Sequence, residues 1–375
     1  MTRTSRLSRR ERLSRVFAGE AADRTPVLDG WIACVEHICA LAGVSSEAYW
    51  ADPTGVSIRA YDALGMDGLI GIFVPRTQDD FRCVDASSYA HARTELSLEE
   101  AVAQVDAMPS PEQIEARFDF DARYKEFRAS LEDMQRQCGE MLWVPAQWGA
   151  GAAASWYGQF GYENYFGLFG LYPDRARKLL EVGGANGRCH SRLIARAVQE
   201  GIYPHAVLLG EDICTQRGPM VSPRFLERYY APELRRGLQP LLDIGCKPVW
   251  HCDGDVRPLL DMLLDCGVQG LQGFQPECGM TIDYVATRRT REGNGPLNLV
   301  NSSRLGCVNR VMCEVHHGRL GAALPKPRAA SSVCPQYREQ VAPGLSHSPC
   351  HCSRSGKGLR EPAARPGAAA SLVTA

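Results

Sequence analysis

Residues 247–279 read KPVWHCDGDVRPLLDMLLDCGVQGLQGFQPECG, and three consecutive pieces can be told apart in them. An apolar run, 247–253, carries the β-favouring pair Val249 and Trp250 and ends on polar groups. A stretch from 256 to 265 repeats leucines at helical spacing and stops at Gly267, a C-cap residue. A second apolar run then covers 270–276. Strand, helix and strand in about 30 residues make a parallel β/α unit. Within the first run side chains alternate faces, so His251 and Asp253 point one way and Cys252 the other. Gly254 lets the chain turn, and Asp255 is placed to cap the helix that follows.

The same pattern extends in both directions. Further strands are predicted at 25–32, 68–74, 142–148, 206–212 and 296–302. Helices are predicted from Ser8 to Gly19 and over 111–137, 173–199 and 223–243, the last two opening on Pro173 and on Ser222-Pro223. Seven strands alternating with helices over about 300 residues fit a (β/α)8 TIM barrel better than a doubly wound sheet. No glycine-rich phosphate-binding pattern follows any strand, so a nucleotide cofactor has no support. Barrels carry their chemistry at the carboxyl ends of the strands. Those ends hold Asp29, Gln147, Glu211 with Asp212, His251 with Asp253, Gln275 with Glu277, and Asn301.

An imidazole and a carboxylate on one face can share a metal ion, and zinc accepts both donor types. A third ligand must come from elsewhere, with Glu277 and Cys334 as the candidates. A buried His–Asp hydrogen bond without metal is the plainer reading of the same residues. Glu211 and Asp212 are adjacent in a strand, so at most one of them faces the mouth. The aromatic group Trp156, Tyr157, Phe160, Tyr162, Tyr165, Phe166, Phe169 and Tyr172 either lines a flat substrate or fills core.

Composition narrows the class. The chain has 375 residues, 45% of them hydrophobic and 23% charged, which is ordinary globular usage. No apolar run approaches the roughly 18 residues of a membrane helix, and the arginine-rich start is followed by no apolar core of an export signal. Fifteen scattered cysteines suit reduced thiols and a cytoplasmic location better than a disulfide framework. The formal charge of −1 hides an asymmetry: residues 1–300 carry a balance of −8 and residues 301–375 one of +7. Neither a nucleic-acid nor a membrane partner is expected.

Several short motifs together resemble the uroporphyrinogen decarboxylase superfamily. They are Arg10-Glu11-Arg12 with Asp23-Arg24; Gly210-Glu211-Asp212 with Gly218-Pro219 and Ser222-Pro223; His251-Cys252-Asp253-Gly254; and Gln275-Pro276-Glu277-Cys278-Gly279. The resemblance covers residues 9–300 and implies a (β/α)8 barrel over 1–302, its last one or two units atypical or incomplete. True decarboxylases hold a polyanionic tetrapyrrole with an arginine loop after the first strand. Residues 29–37 have no arginine and instead two acids, Asp29 and Glu36, which would repel that substrate. The other branch holds the methylcobamide:coenzyme M methyltransferases and corrinoid-linked demethylases, which bind zinc through a His-x-Cys pair and a later cysteine.

That branch implies a zinc-dependent methyltransferase or demethylase for a small methylated compound, with the corrinoid carried as co-substrate on a partner protein. Its ligands would be His251, Asp253 in the cysteine position, and Cys334. Glu211, Asp212 and Glu277 would be catalytic, and Asp29, Trp156, Tyr157 and Gln275 would contact substrate. Alternatives are tetrapyrrole decarboxylation and an inactive member with a damaged C-terminus. The match fades where the basic stretch begins. Residues 303–375 are poor in Asp, Ile and Phe and rich in Arg, Pro, Ser and Cys, the composition of GC-rich DNA read out of frame, and are expected to be a divergent, poorly ordered tail.

Overall fold

The computed structural model describes residues 7–32, 34–77, 96–273, 275–295 and 297–298. All belong to a unit spanning Met1–Leu305; the second unit, Gly306–Ala375, and with it Cys334 and the expected tail, lies outside the described residues. Each of the seven apolar runs contains a paired strand, shorter than the run itself. Strands β1 (Leu28–Asp29), β2 (Gly68–Leu69) and β3 (Leu142–Trp143) form one parallel sheet in that order. Strand β4 (Ala206–Gly210) is followed by a small antiparallel hairpin of β5 (Cys214–Thr215) and β6 (Gly218–Pro219). It then pairs with β7 (Lys247–His251), which pairs with β8 (Gly270–Gln272), and β8 with β9 (Leu297–Asn298), all parallel. All five residues of β4 are buried, as a parallel strand covered on both faces requires.

The fold is therefore α/β with parallel sheets, but the expected eight-stranded barrel is not closed among the described residues. They give two sheets of three and four strands. One backbone bond crosses between them, from Gln147 N–H beyond β3 to the Leu208 carbonyl of β4 at 2.7 Å. In a flat sheet β1 and β7 would lie four strand spacings apart, about 19 Å. Yet Ile70, Leu208 and Val249 share one apolar cluster with Leu28, Trp31, Ala146 and Trp148, so the strands curl.

Helices flank the strands. They are α1 (Arg9–Ala18), α2 (Val35–Ala42), α3 (Ser46–Ala51), α4 (Pro53–Ala63), α5 (Leu98–Ala107), α6 (Pro111–Arg117), α7 (Phe120–Cys138), α8 (Tyr157–Phe160), α9 (Tyr162–Leu171), α10 (Pro173–Gln199), α11 (Pro223–Phe225), α12 (Ala231–Leu242), α13 (Arg257–Asp265) and α14 (Ile282–Ala286). α1 starts at a capping box of Ser8 and Glu11 and stops at Gly19, whose φ of +83° only glycine adopts without strain. The helix expected over 111–137 is two, because Asp119 caps a new start by accepting from Ala122 N–H at 3.1 Å. The helix expected over 223–243 is interrupted by a π turn at Leu226–Tyr230, directly before Pro232 removes a backbone donor from the ladder.

Two packing features position the site. The loop after β3, Gly149–Ser155, is clamped between α10 and α12: a Cβ on Gly187 would lie 2.0 Å from the Gly151 carbonyl oxygen, and one on Gly237 1.6 Å from it. Below the strands, Asp67 is fully buried and accepts from Arg12 at 2.7 Å, from Arg24 at 2.6 Å and from the Val27 N–H at 2.8 Å. Arg12 is itself buried and also grips Asp23, whose carboxyl it holds down to about 2. The Arg12 and Asp23-Arg24 motifs thus tie α1 to the starts of β1 and β2. The same end carries a cavity of about 970 Å³ lined by Arg10, Phe17, Leu131 and Lys247, away from the His251 end of the strands. Among the described residues no helix is long and apolar enough to cross a membrane, and nine cysteines are all unpaired.

Candidate metal centre

His251 is the last residue of β7, level with Gly210 on one side and Gln272 on the other. Gly210 has φ +141°, and a Cβ there would lie 2.2 Å from the His251 carbonyl oxygen. The missing side chain lets the chain cross the end of β7 and form the bond from Glu211 N–H to that carbonyl at 3.0 Å. The crossing throws the next two acids to opposite sides, as strand alternation demands.

Glu211 turns inward and is buried, where its carboxylate accepts from the Ser155 backbone N–H at 2.9 Å and from the Ser155 hydroxyl. Burial pushes its carboxyl up to about 7, against the pull of Ser155. Asp212 turns outward: its Oδ1 lies 3.4 Å from His251 Nε2 and accepts from the Asp253 N–H at 3.1 Å. Burial raises the Asp212 carboxyl, but the hydrogen bond and charge of His251 outweigh it and hold the group below its usual range. Burial raises Asp253, and the charges of Asp212 and Glu277 add to that against the pull of His251. For His251 burial opposes the charged ring, but its bond to Asp212 and the neighbouring carboxylates prevail and raise it to about 9.

Ligand atoms of Asp212, His251 and Asp253 all lie within 4.8 Å of one another. His251 and Asp253 share a face, as the alternation of the run required, and Cys252 points into the core. The third member is Asp212, which the sequence reading placed among the catalytic groups. Cys334, the expected third ligand, lies outside the described residues. Glu277 is exposed and outside the cluster; the run 270–276 ends as a strand at Gln272, and Glu277 lies in a short 3-10 turn, Pro276–Cys278, that Gln275 precedes as N-cap. Gln275 is half-buried there and accepts from the Cys278 thiol at 3.4 Å. Asp29 is buried and turned onto its own loop, its Oδ1 accepting from Gly30 N–H at 2.6 Å and Trp31 N–H at 2.9 Å.

Of the aromatic group, Phe160 and Tyr165 are core, and Trp156 packs against that core. Tyr157 stacks on Tyr162 at 4.7 Å and donates to the Asp212 carbonyl at 3.3 Å, bracing the acidic loop. The residues around the imidazole were not singled out from sequence. Trp31 lies 6.2 Å from the His251 ring and stacks on Phe73, Trp148 meets the ring edge-on at 5.5 Å, and Gln272 Oε1 accepts from Nδ1. Only Gln272 left a signal, as the polar residue closing the apolar Gly270–Gln272 stretch.

A nitrogen and two carboxylates at one point can hold a divalent cation, and with a neutral imidazole the trio would balance its charge. No protein-family model and no curated protein matches the chain. Among solved structures it is similar to a methyltransferase from Methanosarcina mazei, at 14% identity over 71% of this chain and 75% of that one, with a TM-score of 0.44. That likeness is too slight to bear on function.

Proposed function

We propose that the chain is a metal-dependent methyltransferase of the uroporphyrinogen decarboxylase superfamily, built on a (β/α)8 barrel and acting on a small methylated compound. One observation carries the reading: Asp212, His251 and Asp253 meet at the carboxyl ends of neighbouring parallel strands. Barrels keep their chemistry at those ends. Strands that follow chain order and curl until Trp31 meets His251 fit the staves of such a barrel.

In this reading His251, Asp212 and Asp253 hold zinc. The ion supplies a Lewis acid that activates a nucleophile or polarises a leaving atom. The protein's own groups do the rest. Glu211, still largely protonated at pH 6, holds the Ser155 loop; Tyr157 braces the Asp212 carbonyl; Trp31 and Trp148 shield the ring from water. The stretch after β1, residues 29–37, offers a polyanionic substrate no arginine, which separates this reading from tetrapyrrole decarboxylation. A corrinoid on a partner protein is the matching methyl carrier.

The test is metal content. The purified full chain dialysed against zinc should hold about one ion per chain, with affinity falling by more than the roughly 100-fold worth of an outer contact in His251→Ala and Asp253→Asn. A wild-type protein that takes up no stoichiometric metal, or variants that bind as tightly, would overturn it.

A further inference from the structure

We propose that Gln272 is a positioning residue that fixes His251 as the Nδ1–H tautomer and aims its Nε2 at Asp212 and Asp253. The consequence for metal affinity rests on the function proposed above; the assignment of the ring does not.

The geometry starts with register. His251 and Gln272 are partners on adjacent parallel strands, so their side chains leave the same face about 4.8 Å apart. Gln272 is buried, and its Oε1 accepts from His251 Nδ1. Two aromatic neighbours limit rotation of the ring, Trp31 across its face and Trp148 at its edge. Gly273 completes the fit: at φ +95° its absent Cβ would lie 3.1 Å from Nδ1 and 2.6 Å from the Cys252 carbonyl oxygen. A side chain there would clash with the Cys252 backbone and crowd Nδ1.

The direction of the bond follows from the amide. Oε1 of Gln272 faces Nδ1, and an amide oxygen only accepts, so the proton sits on Nδ1. That leaves Nε2 turned to Asp212, 3.4 Å from its Oδ1. A cation held by Asp212 and Asp253 would meet the Nε2 lone pair. A carboxylate at 272 would orient the ring equally well but would add a third negative charge beside Asp212 and Asp253. The amide orients without that charge, leaving a bound ion more electrophilic.

The experiment uses full-length protein labelled with 15N in histidine. Long-range 1H–15N spectra are recorded in chelator at a pH above the His251 midpoint, and zinc affinity is measured separately. Wild-type His251 should carry its proton on Nδ1, and Gln272→Leu should move it toward Nε2 while the other histidine signals stay in place. Zinc affinity should fall 10- to 100-fold in Gln272→Leu and recover in Gln272→Glu. An Nε2–H ring in the wild type, or an unchanged ring in Gln272→Leu, overturns the assignment. A wild-type Nδ1–H ring that takes no zinc supports the assignment and sinks the metal reading instead. Should Gln272→Leu fail to fold, Gln272→Glu still decides. Its carboxylate should keep the proton on Nδ1, and a ring found as Nε2–H in that variant overturns the contact.

Discussion

Glu211 and Asp212 are adjacent, yet burial drives one carboxyl up to about 7 while the other is held low by His251. The consequence for stability has a definite sign. Below about 4.5, the ordinary value for Glu211, both folded and unfolded chains are protonated and nothing is lost. Between 4.5 and 7 the unfolded chain sheds its proton and the folded one keeps it, so stability falls as pH rises, by up to about 3 kcal/mol. Glu211→Gln mimics the protonated group and should remove this slope. Urea midpoints of both proteins in chelator at about pH 5 and 7.5 should diverge in favour of the variant at the higher pH, and a constant difference would refute the assignment. His251, raised to about 9, also loses stabilisation as pH climbs past its midpoint, but it does so in both proteins and cancels. Strand alternation alone placed His251 with Asp253 and split Glu211 from Asp212. Which of the two acids meets the imidazole depended on the pairing of β4 with β7, a contact between residues some 40 apart.

At the scale of elements, α10 shows packing overriding propensity. Gly183, Gly184 and Gly187 weaken a helix by roughly 1 kcal/mol each relative to alanine. Gly183 and Gly187 are tolerated because the loop carrying Ser155 passes where their side chains would stand, a Cβ on Gly183 lying 2.1 Å from the Ala153 carbonyl oxygen, while Gly184 faces the Glu233 side chain. Gly187→Ala should therefore destabilise by about 2 kcal/mol, although propensity alone predicts a gain, and the sign of the shift in urea midpoint decides between them. The long helix at 173–199 was legible, since its proline start and apolar period are local features. The breaks at Asp119 and before Pro232 have local causes too, a cap and a missing donor, but periodicity reads through both. The pattern over 270–276 overextends the strand because Phe274 carries the apolar signal past Gly273. The turn there comes from Gly273 at φ +95° passing over Cys252, which is a tertiary contact.

For the molecule as a whole, the network of Arg12, Asp23, Arg24 and Asp67 anchors the amino-terminal ends of the strands. Asp67→Ala leaves the Arg12 guanidinium buried without its inner partner and should cost about 3–5 kcal/mol, far above the roughly 1 kcal/mol ceiling of an exposed ion pair. An unfolding midpoint shifted by no more than a surface pair's worth would show that Asp23 alone satisfies Arg12. The sequence by itself determined the α/β class, the places of seven strands and the shared face of His251 and Asp253. Each of these follows from the period of side chains along a few consecutive residues. Only the tertiary structure decided that Asp212 completes the cluster, that Gln272 and two tryptophans hold the imidazole, and that the Asp29 carboxylate serves its own loop. Those depend on strand register, on glycines that let backbones touch, and on curvature that brings β1 round to β7. The physical reason is that each is a contact between segments far apart in the chain, set by how whole elements pack and carried by no short pattern.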